Sequence, residues 1–207
     1  MRLYAAMAVP LGVRTELAVA LAPLRAAAPP ALRWTRAEDW HVTLAFYGQV
    51  ADERVDELTA RLRRAVARRP SPVLRTGALG CFGPDRAATV LWVGVDADRE
   101  LLRSLAASAR AAGRRVGLGG ADVQPHRPFR AHLTLARDRR GADLRDLLAD
   151  PRAGRPSAPL GWRADEVVLV RSDLGAGPGG TARHTVLARL PFRPAGGPDG
   201  QALTGST

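Results

Sequence analysis

Two of the four histidines in this chain sit inside the same short phrase. His41-Val42-Thr43-Leu44-Ala45 and His132-Leu133-Thr134-Leu135-Ala136 both read H-x-T-L-A. Each is taken as a β-strand, where side chains alternate between faces. His41 and Thr43 then share one face with Ala45, while Val42, Leu44 and Phe46 take the other. The second copy places His132, Thr134 and Ala136 together in the same way. Residues two apart on a strand lie roughly 6.5–7 Å from each other, a spacing at which an imidazole and a hydroxyl can hold different oxygens of one phosphate. If the copies meet about a pseudo-twofold axis, one neutral histidine takes a proton from water. The other, protonated, gives one to a leaving oxygen, and the hydroxyls steady the charge that develops. Histidine suits both duties because its ordinary pKa lies near 6.5. A lone histidine on an amphipathic strand is ordinarily structural, and threonine is a good strand residue with no further duty. The duplication carries the inference.

The elements that must position these pairs read in a duplicated order. Residues 2–9 predict a buried strand and 13–27 a helix stopped by Pro29-Pro30. The first motif strand covers 41–47. Asp52 is placed to cap a helix running to about Arg69, with Val55, Leu58, Leu62 and Val66 on one face. Strands at 73–80 and 88–95 flank a Gly83-Pro84-Asp85 turn. Asp98 caps a helix over 99–112 that Gly113 is expected to stop. A Gly- and Pro-rich loop, 117–129, leads to the second motif strand, 131–137, and a short helix covers 142–149. Residues 151–161 read as a linker, 165–171 and 184–190 as strands, and 175–180 as a hairpin loop. The fold class predicted is α+β, with residues 1–193 as a single bilobal domain and 194–207 as a disordered tail.

Neighbours of the motifs supply secondary candidates. Arg130 is two before His132 and shares its face, so Arg130 is a candidate for phosphate or RNA backbone. Arg137 has the opposite parity and is expected to miss the phosphate. Tyr47 and Phe129 are candidates for stacking on a base, whereas Phe46 falls by parity on the core side. His126 is expected to be an exposed structural residue, and Cys81 a small core residue.

Composition removes several mechanisms. The formal net charge is +11 and every one of the 31 basic residues is arginine. Without lysine there is no lysine nucleophile for adenylate transfer and no P-loop. The positive charge makes a polyanionic partner plausible, although arginine in a chain this rich in Ala, Gly and Pro also reflects base composition. One cysteine and scattered histidines lack zinc-site spacing, so no metal or other cofactor is expected. The single cysteine fits a cytoplasmic location. No stretch approaches the roughly twenty apolar residues of a membrane span, and a monomer is expected.

With Trp40-His41-Val42-Thr43-Leu44-Ala45-Phe46-Tyr47-Gly48 and Arg127-Pro128-Phe129-Arg130-Ala131-His132-Leu133-Thr134-Leu135-Ala136-Arg137, the chain resembles the 2H phosphoesterases. Within them it is similar to the RNA 2′,3′-cyclic phosphodiesterases, long called 2′-5′ RNA ligases. The opening strand 2–10 and Val168-Leu169-Val170-Arg171-Ser172 extend the likeness over about residues 1–193. The resemblance implies a bilobal fold whose two antiparallel sheets line a central cleft, with helices outside. It implies metal-independent opening of 2′,3′-cyclic phosphate at RNA ends to 2′-phosphomonoesters. It places the proton donor on His41, the proton acceptor on His132 and the phosphate-binding threonines on Thr43 and Thr134. The family commonly has Pro at Ala131 and Tyr at His184, and the latter difference bears on nucleotide contacts. Two rival functions are a small-molecule cyclic phosphodiesterase, acting for example on ADP-ribose cyclic phosphate, and a non-catalytic nucleotide- or RNA-binding module.

Overall fold

The computed structural model describes residues 1–118, 129–150 and 159–193. The expected 194–207 tail, His126 and most of the 151–161 linker lie outside the described residues. Among the described residues nine strands form one sheet: β1 (Arg2–Ala8), β2 (Arg33–Trp34), β3 (His41–Gln49), β4 (Val73–Phe82), β5 (Ala88–Asp96), β6 (His132–Ala142), β7 (Gly161–Arg163), β8 (Glu166–Asp173) and β9 (Arg183–Pro191). The order is β7-β4-β5-β6-β3-β1-β8-β9, with β2 beside β6. Each ladder between named strands is antiparallel.

The duplication is visible in this order. β7-β4-β5-β6 makes one half and β3-β1-β8-β9 the other, and each half places its H-x-T-L-A strand at the seam. The halves touch through a single registered pair, Val42 opposite Leu133. The expected two sheets therefore join edge to edge, and the strands splay on either side of the seam.

Among the described residues five α-helices lie outside the sheet: α1 (Leu11–Ala20), α2 (Ala22–Ala27), α3 (Val55–Val66), α4 (Arg99–Arg115) and α5 (Arg145–Ala149). The continuous helix expected over 13–27 is divided at Leu21, because Pro23 lies in the first turn of α2, where its missing N–H costs nothing. Asp98 caps α4, its side chain accepting from the Leu101 N–H at 3.0 Å. Asp52 does not cap α3. It opens a 3₁₀ turn, Asp52–Arg54, and its side chain makes no capping bond. α3 and α4 pack on each other, with α4 across β3 and α3 against β9. Leu58, Leu62, Leu102 and Leu105 face the main core with Val42, Leu44, Leu133 and Leu135.

Gly113 is not the stop expected for α4, which continues to Arg115. A Cβ there would stand 2.8 Å from two ring atoms of Tyr47. Tyr47 is 8% exposed and donates its hydroxyl to the Ala109 carbonyl of α4 at 3.0 Å, so its ring has little room to retreat. Alanine gains about 1 kcal/mol of helix propensity over glycine, against roughly 1–3 kcal/mol for overpacking a filled core. Gly113→Ala is therefore expected to lower the melting temperature in a circular-dichroism scan. An unchanged or higher value would show that the ring yields freely.

Candidate active site

Strand register builds the site. Antiparallel pairing about Val42 and Leu133 sets His41 across from Thr134 and Thr43 across from His132. The partner strands lie on opposite flanks. β1 places Ala8 beside His41 and Ala6 beside Thr43, and β5 places Gly94 beside His132 and Trp92 beside Thr134. Small residues next to both imidazoles leave the rings room.

Both rings are held in the same way. His41 Nδ1 lies 2.6 Å from the Asp39 carbonyl and His132 Nδ1 lies 2.8 Å from the Arg130 carbonyl, in each case two residues back. A carbonyl can only accept, so each Nδ1 carries a hydrogen and each Nε2 is the atom left for proton transfer. Among the described residues no hydrogen bond claims the hydroxyl of Thr43 or Thr134.

Aromatic rings frame each histidine from its own half. Tyr4 stacks on His41, with centroids 4.7 Å apart and planes 23° apart, and His184 meets His41 edge-on at 5.9 Å. The Tyr4 hydroxyl and His184 Nδ1 are 3.1 Å apart. Around His132 stand Phe82 at 4.9 Å and Trp92 at 6.0 Å. Trp92 in turn lies over Gly80 of β4, where a Cβ would collide with its ring at 2.3 Å.

Burial sets the acidities. His41 is lowered to about 4, chiefly by burial; the hydrogen bond to the Asp39 carbonyl opposes this, and the charges of His184, His132 and Arg137 add to the lowering. His132 is also lowered, chiefly by burial and then by Arg137 and Arg130. With no anion in the cleft, both imidazoles are neutral at pH 7.

Three expectations about the motif neighbours are overturned by one feature present in both copies. Ala5 pairs with Ala45 but Ala6 pairs with Thr43, so Leu44 is an extra residue in β3. Leu91 pairs with Ala136 but Trp92 pairs with Thr134, so Leu135 is extra in β6. These matched β-bulges invert the parity of the residues that follow, as far as the next register shift in each ladder. Leu44 and Ala45, and likewise Leu135 and Ala136, all enter the core. Phe46, expected in the core, is 47% exposed and reaches the cleft face, 5.9 Å from Tyr4. Tyr47, expected as a base contact, is turned into the core against α4. Arg137, expected to miss the phosphate, comes to the histidine face, where its charge is felt by both rings. The sequence signal for the bulge is two successive apolar residues, Leu-Ala, after Thr in both copies.

The remaining candidates divide. Arg130 is exposed, and its guanidinium lies 5.4 Å from the Trp92 ring centre on the cleft side. Phe129 packs, partly buried, against the main core. Sequence reasoning did not single out Tyr4, Phe82, Trp92 or Arg33. Arg33 of β2 pairs with Arg137 and so shares its face. Burial lowers the pKa of Arg137, and the charge of Arg2, which shares a face of β1 with Tyr4, lowers it further.

A duplicated antiparallel α+β fold with a His/Thr pair from each half is the 2H phosphoesterase fold. A model of the 2′-5′ RNA ligase superfamily matches residues 13–176, and the chain belongs to that superfamily. It is 28% identical over 181 residues to the RNA 2′,3′-cyclic phosphodiesterase of Geobacillus stearothermophilus, covering 85% of this chain. The chain spans about half, 52%, of that relative's length. The crystal structure of TT0787 from Thermus thermophilus superposes with a TM-score of 0.72 at 27% identity, over 95% of this chain and 100% of that one. E. coli LigT in its apo form gives a TM-score of 0.69 at 26% identity, over 93% and 98% of the two chains. LigT has also been solved with 3′-AMP and with phosphate. Among the described residues no helix is long and apolar enough to cross a membrane.

Proposed function

We propose that this protein is a metal-independent phosphodiesterase that opens 2′,3′-cyclic phosphate at RNA ends to a 2′-phosphomonoester. The observation that carries the reading is the paired presentation of two imidazoles. Each has Nδ1 tied to the carbonyl two residues back, and each stands across the seam from the other copy's threonine. A phosphate seated there meets two Nε2 atoms and two hydroxyls.

His132 takes a proton from water as the water oxygen bonds to phosphorus. His41 gives a proton to the 3′-oxygen as the bond from phosphorus to that oxygen breaks. Thr43 and Thr134 hold the non-bridging oxygens, whose charge grows in the transition state. The relative from Geobacillus stearothermophilus carries the name of this activity, and the positive cleft formed with Arg130 and Arg137 suits an RNA end.

The test is incubation with an oligoribonucleotide ending in a 2′,3′-cyclic phosphate, in EDTA, with the product identified by phosphorus NMR. The expected product is the 2′-phosphate. A substrate left intact, while ADP-ribose cyclic phosphate is opened, would overturn the RNA assignment. Inertness toward both would overturn the enzymatic one.

A further inference from the structure

A second basic site lies on the outer face of the helix layer, away from the histidines. Helical spacing creates it. Arg61, Ala65, Arg68 and Arg69 follow one face of α3 and the turn after it, and Ser108, Ala111, Ala112 and Arg115 follow one face of α4. Where the two helices pack side by side, the small residues make the floor of a groove of about 210 Å³ and the arginines make its walls. The apolar faces of both helices are turned to the core, with Leu58, Leu62, Leu102 and Leu105 buried there. The groove therefore opens away from the sheet. At least the thickness of one helix, about 10 Å, separates it from the cleft.

The groove is pre-organised for an anion. Arg69 donates to the hydroxyls of Ser104 and Ser108, which holds its guanidinium against α4 and leaves it further N–H donors. The Ser108 hydroxyl accepts in that bond and keeps its own hydrogen to give. Arg61 is paired with Glu57 at 2.8 Å. Among the described residues Arg68 and Arg115 have no acidic partner, and both are exposed. No carboxylate lines the groove. The sequence shows how this arises, because no acidic residue stands between Glu57 and Asp85, or between Glu100 and Asp122.

The lining also narrows the choice of partner. A helix that lies on a membrane needs large apolar side chains to enter it. None of the large hydrophobic residues exposed among the described residues lies on α3 or α4. No aromatic ring lines the groove, so it has no platform for a base. Guanidinium forks over a small-residue floor suit phosphate oxygens. We propose that the α3–α4 groove binds the phosphate backbone of an RNA strand, upstream of the end that enters the cleft and without reading its sequence. The inference rests on the RNA reading above and gives it a length dependence. A mononucleotide occupies the cleft alone, whereas a longer strand engages cleft and groove together.

The test compares the wild type with R68Q/R115Q and with R86Q/R163Q, which removes the same charge from exposed positions elsewhere. Fluorescence anisotropy measures the Kd for a single-stranded RNA of about 20 nucleotides with an ordinary 3′-hydroxyl end, across a range of salt. KM for a nucleoside 2′,3′-cyclic phosphate is measured alongside. R68Q/R115Q is expected to weaken RNA binding by roughly tenfold at low salt. It should also make the slope of log affinity against log salt shallower by about 1.4, or roughly 0.7 for each of two lost phosphate contacts. R86Q/R163Q should change both far less, and KM for the cyclic mononucleotide should be the same in all three proteins.

Equal RNA affinity in the wild type and R68Q/R115Q would overturn the inference. So would an equal loss in the two variants, which would reduce the effect to net charge, or a matching rise in KM for the mononucleotide, which would place it in the cleft. Groove-dependent RNA binding by a protein that opens no cyclic phosphate would instead overturn the catalytic reading and leave this one standing.

Discussion

Replacing either motif histidine with asparagine is expected to lower kcat by about 10²–10⁴, the range for removing a positioned acid or base. Asparagine keeps a donor near the position of Nδ1, so the bond to the carbonyl of Asp39 or Arg130 is imitated and the strand is not left with an orphaned acceptor. In the proposed mechanism the two histidines serve one transition state. The double variant is therefore expected to lose little more than the worse single variant, because residues that act as a unit are not additive. KM should change much less than kcat, since the threonines and arginines proposed to hold the ground-state phosphate remain. Single-turnover kinetics on the cyclic phosphate measure this. Losses that multiply in the double variant, or a fall confined to KM, would separate the histidines from each other and from the chemistry.

The pH dependence is expected to be as strong. In the free protein burial has moved His41 to about 4 and lowered His132. The profile of kcat/KM reports the free enzyme. It is therefore expected to be bell-shaped, with its maximum on the acid side of the ordinary histidine value. An anionic substrate favours the protonated rings, so the kcat profile should lie at higher pH than that of kcat/KM. A kcat/KM that climbs steadily into the alkaline range would contradict a protonated imidazole acid.

Stability carries the same signature. The folded pKa of His41 is lower than its unfolded value of 6.5. The unfolded chain therefore binds the extra proton between those values, and stability falls as pH drops from about 6.5 to about 4. The gap corresponds to roughly 3 kcal/mol at most. Urea midpoints at pH 7 and pH 4.5 should differ less in His41→Asn than in the wild type. Saturating phosphate should reduce the wild-type loss.

The repeat made the candidate site legible because a two-residue spacing survives any strand geometry. His41, Thr43, His132 and Thr134 were readable, and the register across Val42 and Leu133 places each histidine opposite the other copy's threonine. Parity is fragile by comparison. One extra residue at the matched point of each strand, Leu44 and Leu135, exchanged the faces of Phe46, Tyr47 and Arg137. The bulge itself was written in the sequence as Leu-Ala where alternation would have placed a single apolar residue. Tyr4, Phe82 and Trp92 were out of reach for a different reason. They come to the histidines through pairings of distant strands, and their hydrophobic character reads equally well as core. Gly113 looked like a helix stop because glycine commonly is one. Its actual role, clearance for Tyr47, depends on a contact between elements that no local pattern contains.

The central claim is that both imidazoles act on one phosphate through Nε2 while Nδ1 stays tied to the chain. Nitrogen-15 imidazole NMR during a titration with inorganic phosphate tests it most directly. The Nε2 signals of His41 and His132 are expected to shift together at one phosphate per protein, with both Nδ1–H resonances retained. A response from one ring alone, or loss of either Nδ1–H, would contradict it.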